Sequence, residues 1–175
     1  MKINNVEITI LPGKLSECEA DAYVLPYYAH HVNPDHERQE VEQAGAKGVR
    51  KFIETRLLHQ VNRHMLALGD TFITDAQGGK SDKLVNIICR SKDEHLVSHG
   101  IRQGLRSMFC QAEKFGLQKV AMVPLCSSDG FAPDTFMEIL GKCVRSYSLP
   151  HYIKEIIIVC EDEEQANKLK ALCQE

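Results

Sequence analysis

The segment from Ser127 to Phe131 has the composition of an anion-binding loop. Ser127-Ser128-Asp129-Gly130 follows an apolar run and precedes a predicted helix. Small hydroxyl residues, with a glycine that tolerates positive φ, let backbone N–H groups converge on an anion beside a helix N-terminus. Asp129 opposes an anion unless its side chain turns outward or caps the following helix. The pattern therefore predicts a phosphate-binding loop, and an ordinary surface loop capped by Asp134 is the alternative.

A second polar stretch, between residues 27 and 37, contains three histidines. His30, His31 and His36 share it with Asp35, and histidines this close together could share a zinc ion. No cysteine or glutamate at metal-ligand spacing joins them, and one aspartate is a weak fourth ligand. We therefore expect surface histidines near a turn and no bound metal.

The cysteines favour buried, reduced thiols over a metal site or a disulfide framework. Their number is odd, no CxxC occurs, and they are widely spaced, at Cys18, Cys89, Cys110, Cys126, Cys143, Cys160 and Cys173. Most lie in apolar runs, where free cysteine behaves as a small hydrophobic residue. Cys126 is the exception, because it lies where a strand gives way to a polar loop. A hydrolase could pair Cys126 or Ser127 with His30 or His31, but no G-x-S-x-G elbow is present.

The composition is that of one globular domain spanning residues 1–175. The chain is 43% apolar and 26% charged, and 21 basic against 24 acidic residues give a net charge of −3. A chain of 175 residues can bury a core without disulfides or metals. It has no basic block for bulk nucleic acid and no apolar run suited to a membrane, and we expect no signal peptide. These features predict a cytoplasmic protein without a cofactor.

Hydrophobic periodicity predicts six strands and five helices. The strands are placed at 3–11, 21–26, 70–75, 84–89, 120–123 and 156–160. Helical spacing covers 38–66, interrupted at Gly45 and Gly48, and then 97–115, 136–147 and 166–172. Pro26 is expected to stop the second strand, and Gly116 to cap the helix that precedes it.

This order of elements predicts a three-layer α/β/α sandwich around a six-stranded mixed sheet. Buried strands rich in valine and isoleucine, separated by amphipathic helices, are typical of a largely parallel core. The first strand alternates apolar and polar residues, so we expect it to be an antiparallel edge. Ligands of such folds bind beyond the carboxyl ends of the strands, a rule that selects segments 27–37, 90–94 and 126–133.

Six segments, taken in order, are similar to those of one known family. Three of them are Leu11–Leu15 at a G-D-I-T turn, Glu19–Val24 at a V-D-A-I-V strand and Leu68–Thr74 at G-D-A-V-x-T. The others are Lys83–Ile88 at Y-V-I-H-x-V, Val120–Phe131 at A-F-P-x-I-S-T-G-I-Y-G, and Ile153–Val159 at the last strand. The chain therefore resembles a macrodomain, the ADP-ribose-binding module, from about Val6 to Leu172.

The resemblance implies a macrodomain-like fold with a cleft for ADP-ribose or a related nucleotide. The ligand-binding positions it implies are Gly13, Asp21, Ala22, Tyr27, Tyr28, Ser127, Ser128, Asp129, Gly130 and Phe131. Phe131 would stack under a ribose or fill the cleft.

Three departures from the family bear on function. Lys14 replaces the aspartate that binds adenine in the family, and a lysine donates hydrogen bonds but accepts none. Residues 25–28, Leu-Pro-Tyr-Tyr, replace N-A-A-N, whose second asparagine contacts the distal ribose in the family's enzymes. Residues 30–39 contain no glycine, so the family's first phosphate loop has no counterpart. Only the loop that begins at Ser127 keeps the family's chemistry.

These features favour a divergent module that binds ADP-ribose or a related nucleotide or phosphate ligand, without the family's catalysis. Two alternatives stay open. One is a hydrolase of ADP-ribose adducts whose rebuilt site uses His30, His31 or Asp35. The other is a degenerate macrodomain for association with a protein partner, its cleft filled by Tyr27, Tyr28 and Phe131. An open cleft would favour the first two functions, and aromatic side chains packed into it would favour the third.

Overall fold

The computed structural model of the chain describes residues 1–28, 36–44, 67–76, 78–146 and 152–173. Its strands are β1 (Lys2–Ile3), β2 (Val6–Pro12), β3 (Ala20–Tyr28), β4 (Thr71–Asp75), β5 (Ser81–Arg90), β6 (Lys119–Met122) and β7 (Glu155–Cys160). Its helices are α1 (His36–Gln43), α2 (Glu94–Phe115), α3 (Pro133–Arg145) and α4 (Glu163–Leu172). Short 3-10 turns cover Leu15–Glu17 and Ser127–Asp129.

The strands form one mixed sheet in the order β1-β2-β7-β6-β3-β5-β4. The five neighbours from β2 to β5 run parallel to one another. At the two edges, β1 and β4 pair antiparallel with β2 and β5. The carboxyl ends of the five parallel strands therefore lie at one side of the sheet. The predicted α/β class with a mixed, largely parallel sheet is confirmed.

Successive side chains of each buried strand enter two different apolar clusters, one on each face of the sheet. In β3, Ala22 and Val24 join the cluster that includes the buried faces of α2, α3 and α4. Tyr23 and Leu25 join the second cluster, which contains Leu15 and Val41 of α1. This period of two follows from the pleat of a strand, and it produces the three layers.

The predicted first strand, 3–11, is a hairpin. Asn4 has a φ of 53°, a conformation that asparagine tolerates, and the turn at Asn4-Asn5 separates β1 from β2. β2 is therefore an internal strand parallel to β7, and the prediction that it is an antiparallel edge is wrong. The extra strand β1 takes that edge and raises the count from the predicted six to seven.

Strand β3 continues through Pro26 to Tyr28, so the prediction that Pro26 stops it is wrong. β6 pairs with β3 only from Ala22 to Val24, whereas β5 accompanies β3 to its end. Pro26 thus lies where β3 has a partner on one side, and proline is tolerated where its missing N–H is not needed for a ladder.

The ends of the helices confirm one predicted cap and contradict another. Gly116 caps α2 as predicted, with a φ of 70° and its N–H donating to the carbonyl of Ala112. The prediction that Asp134 caps α3 is wrong, because Pro133 takes the first helical position and Ala132 is the N-cap. Asp134 instead pairs with Lys168 of α4 at 3.1 Å. Of the predicted helical stretch 38–66, α1 matches the beginning, and residues 45–66 lie outside the described part of the chain.

Gly104, in the middle of α2, sets how closely that helix approaches the sheet. A methyl group at this position would overlap Cγ2 of Ile87 in β5. We expect Gly104→Ala to lower the free energy of unfolding by about 1–3 kcal/mol, because the packed core must shift to accept it. Equilibrium urea denaturation measures this change.

Gly141→Ala in α3 is the matched control. Its added methyl meets only the flexible end of Arg145, and alanine favours a helix over glycine by about 1 kcal/mol. Gly141→Ala is therefore expected to be neutral or stabilising. Equal midpoints for the wild type and Gly104→Ala would contradict the close-approach argument.

Candidate functional site

A cleft of about 780 Å³ opens at the carboxyl ends of β2, β7 and β6. It is lined by residues 13–15, 123, 124, 159–161 and 165, by residues 127–133 other than 129, and by Glu40 of α1. The walls are mainly apolar, through side chains such as Leu15, Val123 and Val159. Its position follows the rule for parallel sheets, and the predicted segment 126–133 forms one side of it.

The loop after β6 is closed by its own backbone. Cys126 and Gly130, with φ of 65° and 88°, flank the 3-10 turn in left-handed conformations. The N–H groups of Asp129 and Phe131 both donate to the carbonyl of Cys126, at 3.0 and 3.2 Å. Those of Ser127 and Gly130 donate within the same segment, at 3.1 and 2.9 Å. These four groups hold the loop together, so the predicted convergence of several N–H groups on an anion does not include them.

Other donors of the same loop remain for the cleft. Ser128 and Ala132 line it, and no described residue accepts from their backbone N–H groups. The hydroxyls of Ser127 and Ser128 add side-chain donors. Ala132 is also the N-cap of α3, whose N-terminal dipole end favours negative charge. This side of the cleft is therefore suited to an anion.

Arg90, at the carboxyl end of β5, anchors the loop. Its Nη1 donates to Oδ1 of Asp129 and its Nη2 to Oγ of Ser128, both at 3.0 Å. Because β3 lies between β5 and β6, the guanidinium reaches across the end of β3. The side chain of Arg90 is 5% exposed and that of Asp129 is 24% exposed. Asp129 thus does not cap α3, and its charge is balanced by Arg90 beside the cleft.

Three charged residues line the cleft: Lys14 after β2, Glu40 on α1 and Glu161 after β7. Oε1 of Glu40 accepts from the N–H of Ser16 at 3.0 Å and from its hydroxyl at 2.7 Å, which ties α1 to the 3-10 turn. The sequence identified Lys14 by its departure from the family pattern. It gave no signal for Glu40, since a glutamate on an amphipathic helix is normally part of a solvated face.

The thiols near the cleft are poorly suited to nucleophilic attack. Sγ of Cys126 lies 3.5 Å from Sγ of Cys89, and both side chains are buried. The hydrogen bond to Cys89 and the burial together raise the pKa of Cys126 well above its usual range. Burial also raises the pKa of Cys160, which lines the cleft, to about 11. Because the thiolate is the nucleophile, a hydrolase built on Cys126 is disfavoured.

Five of the predicted ligand residues meet in the cleft, and they come from two loops. They are Gly13, Ser127, Ser128, Gly130 and Phe131. Gly13 follows β2 and donates its N–H to the carbonyl of Cys160 at 3.0 Å, which joins the ends of β2 and β7. Phe131 is 5% exposed and packs into the core beneath the loop, so it forms a wall of the cleft and leaves the cleft open.

Three other predicted ligand residues lie away from the cleft. Asp21 is near the amino end of β3, where its Oδ2 accepts from the N–H groups of Gln118 and Lys119, both at 2.7 Å. Ala22 is buried within β3. The buried ring of Tyr27 stacks edge-on against Phe72, with centroids 6.3 Å apart. The three residues therefore contact other parts of the fold and do not line the cleft.

The remaining predicted residues lie wholly or partly outside the described part of the chain. Tyr28 ends β3, and His36 begins α1, but the side chains of both are outside the described part. His30, His31 and Asp35 lie entirely outside it. Within the described residues, no group of three or more histidine, cysteine, aspartate or glutamate side chains could hold a metal ion. None of the described helices is long and apolar enough to cross a membrane.

Comparison with solved structures identifies the fold. The Oceanobacillus iheyensis macrodomain with ADP matches with a TM-score of 0.80 and 10% identity over 99% of this chain and 93% of that one. A variant of the same macrodomain with ADP-ribose matches with a TM-score of 0.80 and 10% identity over 99% and 95%. The Trypanosoma brucei macrodomain in complex with ADP matches with a TM-score of 0.64 and 14% identity over 95% and 69%.

These likenesses place the chain's mixed sheet and its covering helices in one known α/β fold. More specifically, the chain has the macrodomain fold, as the resemblance in sequence predicts. No protein-family model matches the sequence, and no curated protein matches it. At identities of 10–15% the likeness establishes the fold alone.

The position of Asp21 generates a test of its role. We expect Asp21→Ala to lower the free energy of unfolding by about 1–3 kcal/mol, because two N–H groups lose a charged acceptor. Asp82→Ala, on the neighbouring strand β5, is the control, since the Asp82 side chain makes no hydrogen bond with any described residue and is exposed. Urea denaturation of both variants measures the difference, and equal stabilities would contradict a structural role for Asp21.

Proposed function

We propose that this chain is a macrodomain-like module that binds ADP-ribose or a related nucleotide in the cleft between Gly13 and Ala132. The observation that carries the proposal is the combination of an open cleft of about 780 Å³ with donors on one side and apolar walls. Small-molecule sites typically occupy ~300–1,000 Å³ and are mainly apolar with a few polar groups. A nucleotide needs both, because its phosphates require donors and its base requires an apolar surface.

The solved neighbours support the choice of ligand. The Oceanobacillus iheyensis macrodomain binds ADP, its variant binds ADP-ribose, and the Trypanosoma brucei macrodomain binds ADP. The proposal places the phosphates of such a ligand beside Ser127, Ser128 and the N-terminus of α3. It places the remainder along Leu15 and Val159, towards Lys14.

Binding without hydrolysis is the form of this function that the residues favour. In the match of residues 25–28 to N-A-A-N, the family's ribose-contacting asparagine corresponds to Tyr28. A tyrosine carries a single hydroxyl, so it cannot orient a water or a ribose hydroxyl as an amide does. The buried thiols of Cys126 and Cys160 carry raised pKa values. Since Tyr27 packs in the core and the cleft is open, ligand binding is also favoured over protein association.

Calorimetric titration with ADP-ribose tests the proposal, and Gly130→Val tests the loop. A ligand at a hundred times its Kd stabilises a protein by about 2.7 kcal/mol, so saturating ADP-ribose should raise the free energy of unfolding of the wild type by about this amount. Thermal melting with and without ADP-ribose measures this change. Gly130 has a φ of 88° and open space around its Cα, so valine is penalised only through the backbone, by about 1–2 kcal/mol. We expect the distorted loop to lose ADP-ribose binding.

Gly116→Val controls for this strain. Gly116 has a φ of 70°, equally open surroundings and a place before β6, at the other end of that strand from the cleft. It should lose similar stability and keep the wild-type affinity. A wild type that binds no ADP-ribose would refute the proposed ligand, and equal affinities for both variants would refute the role of the loop.

Lys14 should determine which base the cleft prefers. A lysine donates to an acceptor such as the O6 atom of inosine, whereas an aspartate accepts from the N6 amino group of adenine. We expect wild-type protein to bind inosine 5′-diphosphate at least as well as ADP, and Lys14→Asp to shift this ratio about tenfold or more towards ADP. Lys2→Asp, an exposed change of equal charge on β1, should leave the ratio unchanged. A wild type selective for ADP would contradict this role.

A further inference from the structure

We propose that Arg90 is a positioning residue of the cleft, which orients the Ser128 hydroxyl towards a bound anion and neutralises Asp129 beside it. The inference rests on the proposed function in one respect, namely that an anionic ligand group occupies the donor side of the cleft. Arg90 itself is not among the residues that line the cleft. Its action is therefore through Ser128 and Asp129, two consecutive residues of the loop.

The direction of the Ser128 hydroxyl follows from its bond to Arg90. A serine hydroxyl has one proton and two lone pairs, whereas a guanidinium can only donate. Because Nη2 of Arg90 donates to Oγ at 3.0 Å, the Ser128 proton must point to a different acceptor. No described residue accepts it, and Ser128 lines the cleft. An anion in the cleft would thus receive both the hydroxyl and the backbone N–H of Ser128.

The position of Asp129 gives Arg90 its second effect. Asp129 follows Ser128 directly, so its carboxylate would repel a phosphate held by that serine. Nη1 of Arg90 donates to Oδ1 of Asp129 at 3.0 Å, and the Arg90 side chain is 5% exposed, so water screens the pair little. The ion pair cancels the carboxylate charge close to the anion site and holds the side chain outside the cleft lining.

Only an arginine can perform both tasks from one position. The planar guanidinium presents several donors in a fixed fork, whereas a lysine offers a single point charge. Burying a charge costs free energy, and an apolar replacement for a buried ion pair is often equally stable. Packing alone therefore does not account for a buried arginine at the end of β5, while control of the loop does.

A charge-rescue experiment tests this inference. The variants are Arg90→Gln, Asp129→Asn, the double variant and Arg90→Lys. Thermal melting curves first establish a temperature at which every variant is equally folded, and binding is compared at that temperature. Binding of ADP-ribose is measured by calorimetry. Binding of inorganic pyrophosphate is followed through the NMR shift of the Ser128 backbone amide.

We expect Arg90→Gln to weaken binding of both probes about tenfold or more, because the carboxylate is exposed to the anion. Asp129→Asn should bind as well as the wild type or more tightly. The double variant should regain most of the loss, and Arg90→Lys should be intermediate. A purely structural role would make the double variant no better than Arg90→Gln.

Each other outcome also decides the matter. Wild-type affinity in Arg90→Gln, or no rescue in the double variant, overturns the inference. If ADP-ribose binds without shifting the Ser128 amide, the inference fails while the proposed function stands. If only pyrophosphate binds, with the expected order of variants, the role of Arg90 stands and the nucleotide function fails. If neither probe binds, both the inference and the proposed function are overturned.

Discussion

Parallel pairing of β2, β7, β6, β3 and β5 constrains every other part of this molecule. Parallel neighbours must be joined by crossovers, and a strand inside such a sheet is covered on both faces. The helices α2, α3 and α4 cover one face, and the opposite face packs on Leu15 and Val41. All five strands end at the same side of the sheet. The cleft lies there, between the segments that follow β2, β7 and β6.

Strand β6 has only four residues, and side chains from neighbouring strands fix its position in the sheet. At its start, the carboxylate of Asp21 on β3 accepts from two successive N–H groups. At its end, Arg90 on β5 binds Ser128 and Asp129 in the loop that follows. Side chains from two other strands thus fix both ends of β6. The loop that offers donors to the cleft is consequently attached to the sheet at a defined place.

The sequence predicted the class of fold well, because the information is local and repetitive. The apolar runs that form β5, β6 and β7 and the spacing of α2 depend on burial, which residue type reveals directly. The predictions failed where the structure of a segment depends on the strands that pair with it. Pro26 is compatible with β3 only because β6 stops pairing at Val24, and no property of residues 21–28 shows where another strand ends.

The candidate site was less predictable than the fold for a related reason. The types of Ser127, Ser128 and Gly130 indicated a loop at the cleft, and the structure places them in its lining. Several of the loop's N–H groups donate within the loop, a pattern that goes with the positive φ of Cys126. Positive φ is uncommon for a residue other than glycine, so nothing in the sequence indicated it. The rule for parallel sheets selected both 90–94 and 126–133. The direct bond between Arg90 and Ser128, which are 38 residues apart in the chain, depends further on the order of strands in the sheet.

The charges around the cleft limit how it can hold an anion. Lys14 is opposed by Glu40 and Glu161 in the lining, and the Arg90–Asp129 pair adds no net charge. The whole chain is also slightly acidic, with a net charge of −3. Long-range attraction therefore contributes little to recruiting a phosphate. Recognition must depend on short, directed hydrogen bonds from Ser128, Ala132 and the N-terminus of α3, which act only over contact distances. In such a site the orientation of one hydroxyl and the neutralisation of one carboxylate have a larger effect than they would in a strongly basic cleft.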